Sequence, residues 1–189
     1  MSLRPAIFLD RDGVLNEIVT RDGKPASPRT PNELVIVADA PAALAAFREM
    51  GFSLFVVTNQ PDVRRGLMTD AALDAIHAKL TATLAVDEVA ACRHDNADAC
   101  ACRKPRPGLL LDLAARHGID LSRSWMIGDQ DRDIACGQAA GCATVLIARP
   151  YNSGARAGAT CTLESLSQAI PAIAKTCAPA SRMDTARVY

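Results

Sequence analysis

Ala6-Ile7-Phe8-Leu9-Asp10-Arg11-Asp12-Gly13-Val14 runs an apolar segment straight into two aspartates one residue apart. Residues two apart on a strand point to the same side, so at a strand end Asp10 and Asp12 begin to converge. Gly13 then lets the backbone turn. Such an end offers a carboxylate and a backbone carbonyl to magnesium, which demands hard oxygen ligands. A carboxylate can also attack phosphorus and form an aspartyl-phosphate, and a second one two residues on could protonate the leaving group. Taken alone, Asp-x-Asp-Gly fits a calcium loop or a plain Asp-Gly turn as well as a catalytic site. The residues downstream decide.

Outward from this run, apolar strand-like segments alternate with helix-like ones. Residues 6–9, 54–57, 86–91, 125–127 and 144–147 read as strands, and 41–50, 69–84, 107–117 and 131–140 as helices. Pro41 and Pro107 suit the first turn of a helix, while Gly51, Gly118 and Gly141 stand where helices should end. The strands are apolar throughout, which fits burial on both faces of a parallel sheet. The alternation predicts a doubly wound α/β fold, a Rossmann-like three-layer sandwich with ligands at the carboxyl ends of its strands. Residues 15–38 break the rhythm: too polar and proline-rich for a core element, they read as a long flap over a site. From Lys175 to Tyr189 the chain reads as a loosely held tail, which leaves 1–174 as a single domain.

Composition narrows the classes of function. A chain of 189 residues with 49% apolar and 22% charged residues is ordinary for a folded protein. Lys plus Arg equals Asp plus Glu at 21 each, so no global field points to nucleic acid or an anionic membrane. No apolar run approaches a membrane span, and the charged Asp-Arg-Asp arrives too early for a signal peptide. Of seven cysteines, three cluster with a histidine. Metal binding in a reducing cytoplasm explains that better than disulfides do.

Three further strand ends carry chemistry. Thr58-Asn59-Gln60 follows the second strand, where a hydroxyl and backbone N–H groups can hold phosphate oxygens. Cys102-Arg103-Lys104-Pro105 precedes a helix; Lys104 could neutralise a transferring phosphoryl group and Arg103 could clamp its oxygens. Gly128-Asp129 follows the fourth strand, with Asp133 one helical turn on. Asp129 would complete a magnesium shell, and Asp133 would support Asp129 or Lys104. Each has a bland alternative: a turn, a solvated basic loop, acids favoured at a helix N-terminus.

In this order the four motifs resemble the haloacid-dehalogenase superfamily of phosphohydrolases, over about residues 5–150. The resemblance implies Asp10 as nucleophile, Asp12 as general acid/base, Thr58 as phosphate ligand and Lys104 as electrostatic stabiliser. It implies Asp10, Asp12 and Asp129 as the magnesium site. Asp12 argues for phosphoryl transfer over dehalogenation, which needs no acid on a leaving oxygen.

Cys92-x-His94-x5-Cys100-x-Cys102 supplies three thiols and an imidazole within a loop spanning 92–102. That is a closed Cys₃His shell suited to structural zinc, holding the loop that presents Arg103 and Lys104. His77 and His117 read as packing or surface residues. The metal loop narrows the resemblance to the branch holding D-glycero-D-manno-heptose 1,7-bisphosphate phosphatases and histidinol-phosphate phosphatases, nearly capless members with loops in place of a lid domain. Asn59-Gln60 and Arg65-Gly66 are similar to the heptose group, which implies Asn59, Arg65 and Arg103 as substrate contacts. The expectation is a cytoplasmic, monomeric Mg²⁺-dependent phosphomonoesterase. It would remove the C7 phosphate of the heptose bisphosphate, with histidinol phosphate or another small metabolite as alternative substrate and no nucleic-acid or membrane partner. A zinc-stabilised, non-catalytic binding module is the reading from another class.

Overall fold

The structure, a computed structural model, describes residues 3–154 and 158–177. Six parallel strands form the central sheet in the order β5-β4-β1-β6-β7-β8. They are β1 (Ala6–Leu9), β4 (Ser53–Asn59), β5 (Glu88–Cys92), β6 (Trp125–Gly128), β7 (Ala143–Ile147) and β8 (Cys161–Leu163). The helices are α1 (Ala40–Glu49), α2 (Pro61–Arg64), α3 (Asp70–Thr83), α4 (Gly108–His117), α5 (Asp131–Ala140) and α6 (Leu166–Cys177).

Alternate strand residues serve opposite faces, and each face has its own helices. Ile7, Leu9, Leu54, Val56, Ile127 and Val145 pack against Leu44 and Phe47 of α1, Leu73, Ile76 and Leu80 of α3, and Ala169 and Ile173 of α6. Ala6, Phe8, Phe55, Val57 and Met126 pack against Leu110 and Leu113 of α4 and Cys136 and Ala140 of α5. This is the expected three-layer sandwich. From β1 the chain steps outward through β4 to β5, then returns to β6 on the other side of β1. The strand order reverses there, so a crevice opens at the carboxyl end of β1.

Between β1 and α1 the expected flap takes shape as a hairpin, β2 (Val19–Arg21) paired antiparallel with β3 (Lys24–Ala26). The expectation that this segment adds nothing to the core needs correcting. Leu15 and Leu34 are buried in the cluster under α1 and α3, and backbone bonds from Glu17 to Val35 and from Val37 to Leu15 close the base of the flap. Beyond 150 the sequence reading also missed β8 and α6. Leu166, Ala169 and Ile173 recur at helical spacing and are buried, although Pro171 lies inside the helix. Lys175 to Cys177 thus belong to α6 rather than to the expected tail, and 178–189 lie outside the described residues.

Candidate active site

Asp10, the first residue past β1, continues the sheet by donating its N–H to Ile127 O at 2.9 Å. Its Oδ1 accepts from the Arg11 N–H at 2.7 Å and faces Lys104 Nζ at 2.9 Å. The Lys104 ammonium, itself buried, also donates to Val57 O at 2.7 Å and pairs with Asp133 Oδ1 at 2.8 Å. One cation thus ties together the ends of β1 and β4 and the start of α5. The cis peptide bond Lys104–Pro105 follows it, and Asn59 holds this turn from both sides: its Oδ1 accepts from Lys104 N and its Nδ2 donates to Lys104 O.

Asp129 follows β6. Its Oδ2 accepts from Tyr151 Oη at 2.7 Å and Gln130 Nε2 at 3.2 Å, while its buried Oδ1 has no hydrogen-bond partner among the described residues. Carboxylate oxygens of Asp10, Asp129 and Asp133 lie within 4.8 Å of one another. Three buried carboxylates against one ammonium leave a net negative site, and a buried, unpartnered carboxylate oxygen on one of them has the chemistry of a hard-cation ligand. The donor set therefore fits magnesium. Two glycines make the approach geometry feasible. Gly13, at φ +82°, has no room for a Cβ, which would lie 2.3 Å from Tyr151 Oη and 2.4 Å from Asp129 Oδ2. A Cβ on Gly128 would lie 2.1 Å from the Cβ of Asp133, so only glycine lets the first turn of α5 press so close to the end of β6.

The third carboxylate of this cluster is Asp133, and the Asp12 carboxylate stands outside it. The reason is competition: Asp12 is drawn off by Arg11 Nε and Nη2 at 3.0 and 3.1 Å, Asn16 Nδ2 at 3.1 Å, Ser27 Oγ at 2.8 Å and Gln60 Nε2 at 2.8 Å.

The electrostatics follow from burial and company. Burial, compounded by Asp133, Asp129 and Asp12 and only partly offset by Lys104, pushes Asp10 up to about 7. Burial works the other way on Lys104, but Asp10 and Asp133 overcome it and hold the ammonium charged. Asp12 is partly screened from solvent, which would raise it, yet Arg11 and the Gln60, Ser27 and Asn16 hydrogen bonds keep it below the usual carboxylate range. Thr58 is buried, and its Oγ1 accepts from Gln60 Nε2 at 2.8 Å.

The four donors of the 92–102 loop come together. Cys92 Sγ, His94 Nδ1, Cys100 Sγ and Cys102 Sγ lie within 4.8 Å of one another, with Cys102 Sγ 3.3–3.4 Å from the other three, and the thiols are free rather than disulfide-bonded. A tetrahedral ion with bonds of about 2.0–2.3 Å needs donor separations of about 3.5–3.8 Å. Arg103, expected at the substrate, folds back on this loop, donating to Asn96 Oδ1 at 2.7 Å and His94 O at 3.1 Å. Arg65 forms a two-pronged pair with Asp95 at 2.7 and 2.9 Å.

Sequence reasoning passed over several residues that reach the site. Arg11 is fully buried and contacts His77 Nε2 on α3 at 3.2 Å, so His77 backs the Asp12 clamp. Gln60 and Ser27 touch Asp12 directly. Tyr151 and Asn152 follow β7, and the carboxyl end of a parallel strand was the signal that could have marked them.

The sequence profile of the HAD-hydrolase-like family matches residues 101–166. The D-glycero-β-D-manno-heptose-1,7-bisphosphate 7-phosphatase of Bordetella bronchiseptica is 37% identical over 146 residues, covering 75% of this chain and 79% of its own length. The enzyme of the same name from Escherichia coli is 31% identical over 191 residues, with 93% and 97% covered. Among solved structures, the B. bronchiseptica heptose bisphosphate phosphatase complexed with magnesium and phosphate superposes with a TM-score of 0.77 at 31% identity, over 91% of this chain and 99% of that one.

Proposed function

This chain belongs to the haloacid-dehalogenase phosphatases and is closely related to the heptose bisphosphate 7-phosphatases; on that premise we propose that it hydrolyses the C7 phosphate of D-glycero-D-manno-heptose 1,7-bisphosphate. The observation that carries this reading is the buried Asp10–Lys104 pair, 2.9 Å apart, set beside the unpartnered Oδ1 of Asp129.

In this reading Asp10 is the nucleophile. Lys104 and the Arg11 N–H hold its Oδ1, which orients the other oxygen toward phosphorus. Attack forms the Asp10–phosphorus bond as the bond to the sugar oxygen breaks. Lys104 balances charge spread over the phosphoryl oxygens, and Thr58 donates its hydroxyl to one of them. Magnesium would be held by Asp10, Asp129 and the backbone carbonyl of Asp12, and would supply charge neutralisation at the transferring group. Asp133 holds Lys104 in place. Asp12 protonates the departing sugar oxygen and then takes a proton from the water that cleaves the aspartyl-phosphate. Its four partners favour the ionised form, so the base half of the cycle suits the resting geometry. To act as the acid, Asp12 gives up one of the donors on its Oδ2, Ser27 or Gln60.

Zinc in the Cys92-His94-Cys100-Cys102 shell would serve structure alone: all four donors come from the protein and converge. Free thiols suit a reducing cytoplasm, no described helix is long and apolar enough to cross a membrane, and balanced charge favours a small metabolite over nucleic acid as the partner. The test is release of inorganic phosphate from the heptose bisphosphate with Mg²⁺ and with EDTA. Mg²⁺-dependent turnover that stops at one phosphate per molecule, with the C1 phosphate retained, is expected. Failure to release phosphate from this substrate, while other phosphomonoesters are hydrolysed, would remove the heptose assignment.

A further inference from the structure

The segment after β7 makes contacts that the reading above does not use. Arg149 Nε donates to Gly13 O at 2.9 Å, and its Nη1 reaches Glu164 O at 3.1 Å. Asn152 Nδ2 donates to Asp129 O at 2.6 Å and to Ile147 O at 2.8 Å, and the residue is buried. Between them Tyr151 Oη donates to Asp129 Oδ2 at 2.7 Å while lying against Gly13. Residues 149–152 therefore grip both turns from which the proposed magnesium ligands come.

We propose that Tyr151 is a positioning residue for the magnesium site, its hydroxyl deciding which oxygen of Asp129 faces the cation. The inference rests on the proposed role of Asp129. A carboxylate on a free rotor can present either oxygen or both. Here Oδ2 is taken by Tyr151 and Gln130, so Oδ1 is left bare, buried and unpartnered. Asn152 fixes the backbone carbonyl of the same residue, so the Asp129 side chain starts from a set position. Outer-shell hydrogen bonds of this kind commonly set metal affinity by about 10–100-fold. Gly13 completes the arrangement, because a side chain there would evict the phenol.

The experiment is direct titration of Mg²⁺ by calorimetry into the full chain with its Cys/His metal left in place, for the parent, Tyr151→Phe and Asp129→Asn. Tyr151→Phe keeps the ring against Gly13, and its melting temperature without Mg²⁺ reports whether the fold is intact. Tyr151→Leu is the second variant should the phenyl ring fail to pack. The expected result is a Mg²⁺ dissociation constant raised about tenfold in Tyr151→Phe. The Mg²⁺ concentration for half-maximal phosphate release should rise in parallel, with the substrate KM at saturating Mg²⁺ little changed. Asp129→Asn should lose measurable binding. Parental Mg²⁺ affinity in the Tyr151 variant, with binding lost in Asp129→Asn, would overturn the inference and leave Asp129 as a ligand. Parental affinity in Asp129→Asn would overturn the assignment of the ligand itself, and the inference with it.

Discussion

Asp12 illustrates how single residues here answer to their neighbours more than to their type. Two residues from Asp10 and of the same chemistry, it is held ionised by Arg11 and three further donors, whereas burial and nearby carboxylates push Asp10 up to about 7. A pair of acids driven apart in this way is suited to two different tasks. Asp10→Asn keeps the shape but removes the nucleophile, so turnover should fall by several orders of magnitude while the melting temperature changes little. Near-parental phosphate release by this variant would take Asp10 out of the chemistry. Behind Asp12, His77 gives a pH prediction. Burial, and then Arg11, lower it to about 4, with Asp74 and Asp12 opposing and Arg93 adding slightly. Between about pH 6.5 and 4 the unfolded chain binds a proton there that the folded chain refuses, so stability is lost as pH falls through this window. Asp12, lowered too, adds a loss of the same sign at the acid end. His77→Gln keeps an acceptor for Arg11 without the titration. Its urea midpoint should fall less steeply than the parent's from pH 6.5 to 4, a difference on the order of 1–3 kcal/mol. Equal slopes would show that His77 is not held neutral.

At the scale of elements, the loop of 92–102 gathers three thiols and an imidazole where a core would otherwise hold it. It contains only a single 3₁₀ turn, Asn96–Asp98, yet it must fix the residues leading to Lys104. Cys100→Ser should lower bound zinc from about one per chain to near none, as measured by elemental analysis. Arg106 donates to Cys100 O, and Arg103 hangs on His94 and Asn96, so loosening the loop displaces both. Misplacement by about 1 Å can cost on the order of 10²-fold in rate, and a loss of that order in kcat is expected. Full metal content and full activity in the variant would contradict the four-ligand shell. The clustering of these four donors was legible because their spacing is local: four side chains within eleven residues need little tertiary information to meet. The same holds for the strands and for Asp10, Lys104 and Asp129, each marked by an apolar run that stops at a charge. What stayed hidden depends on contacts across the fold. Tyr151 gains meaning only because β7 lies beside β6, and Ser27 only because the flap folds back on Asp12. β8 was too short to show alternation, and Pro171 masked the helical spacing of α6.

At the scale of the whole molecule, the site sits in a crevice whose rim is assembled from three surface segments, with ion pairs joining them in place of a separate lid. Arg29 from the flap pairs with Asp62 of α2, and Arg64 and Arg65 pair with Asp98 and Asp95 of the metal loop. The Arg65–Asp95 pair is partly solvated, and exposed pairs of this kind contribute only about 0–1 kcal/mol. A phosphate dianion arriving at the rim can therefore displace Asp95 from Arg65 at small cost. Arg103, tied to two neutral oxygens rather than to a carboxylate, is freer still to turn to an anion. If the remote phosphate is gripped in this way, its binding energy becomes usable at the reacting centre. One charge-assisted contact contributes about 1.5–3 kcal/mol, so the bisphosphate should exceed a simple monoester in kcat/KM by roughly 10–100-fold. Arg65→Ala should cut into that advantage and leave the monoester rate nearly unchanged. Histidinol phosphate offers an amine and an imidazole where the second phosphate would be, and an arginine rim repels the first and gains nothing from the second. The heptose bisphosphate, histidinol phosphate and a simple monoester, assayed with one preparation of parent and variant, decide the matter. A preference for histidinol phosphate, or an Arg65→Ala loss of equal size on all three, would defeat the rim as a reader of the second phosphate while leaving Asp10 chemistry intact.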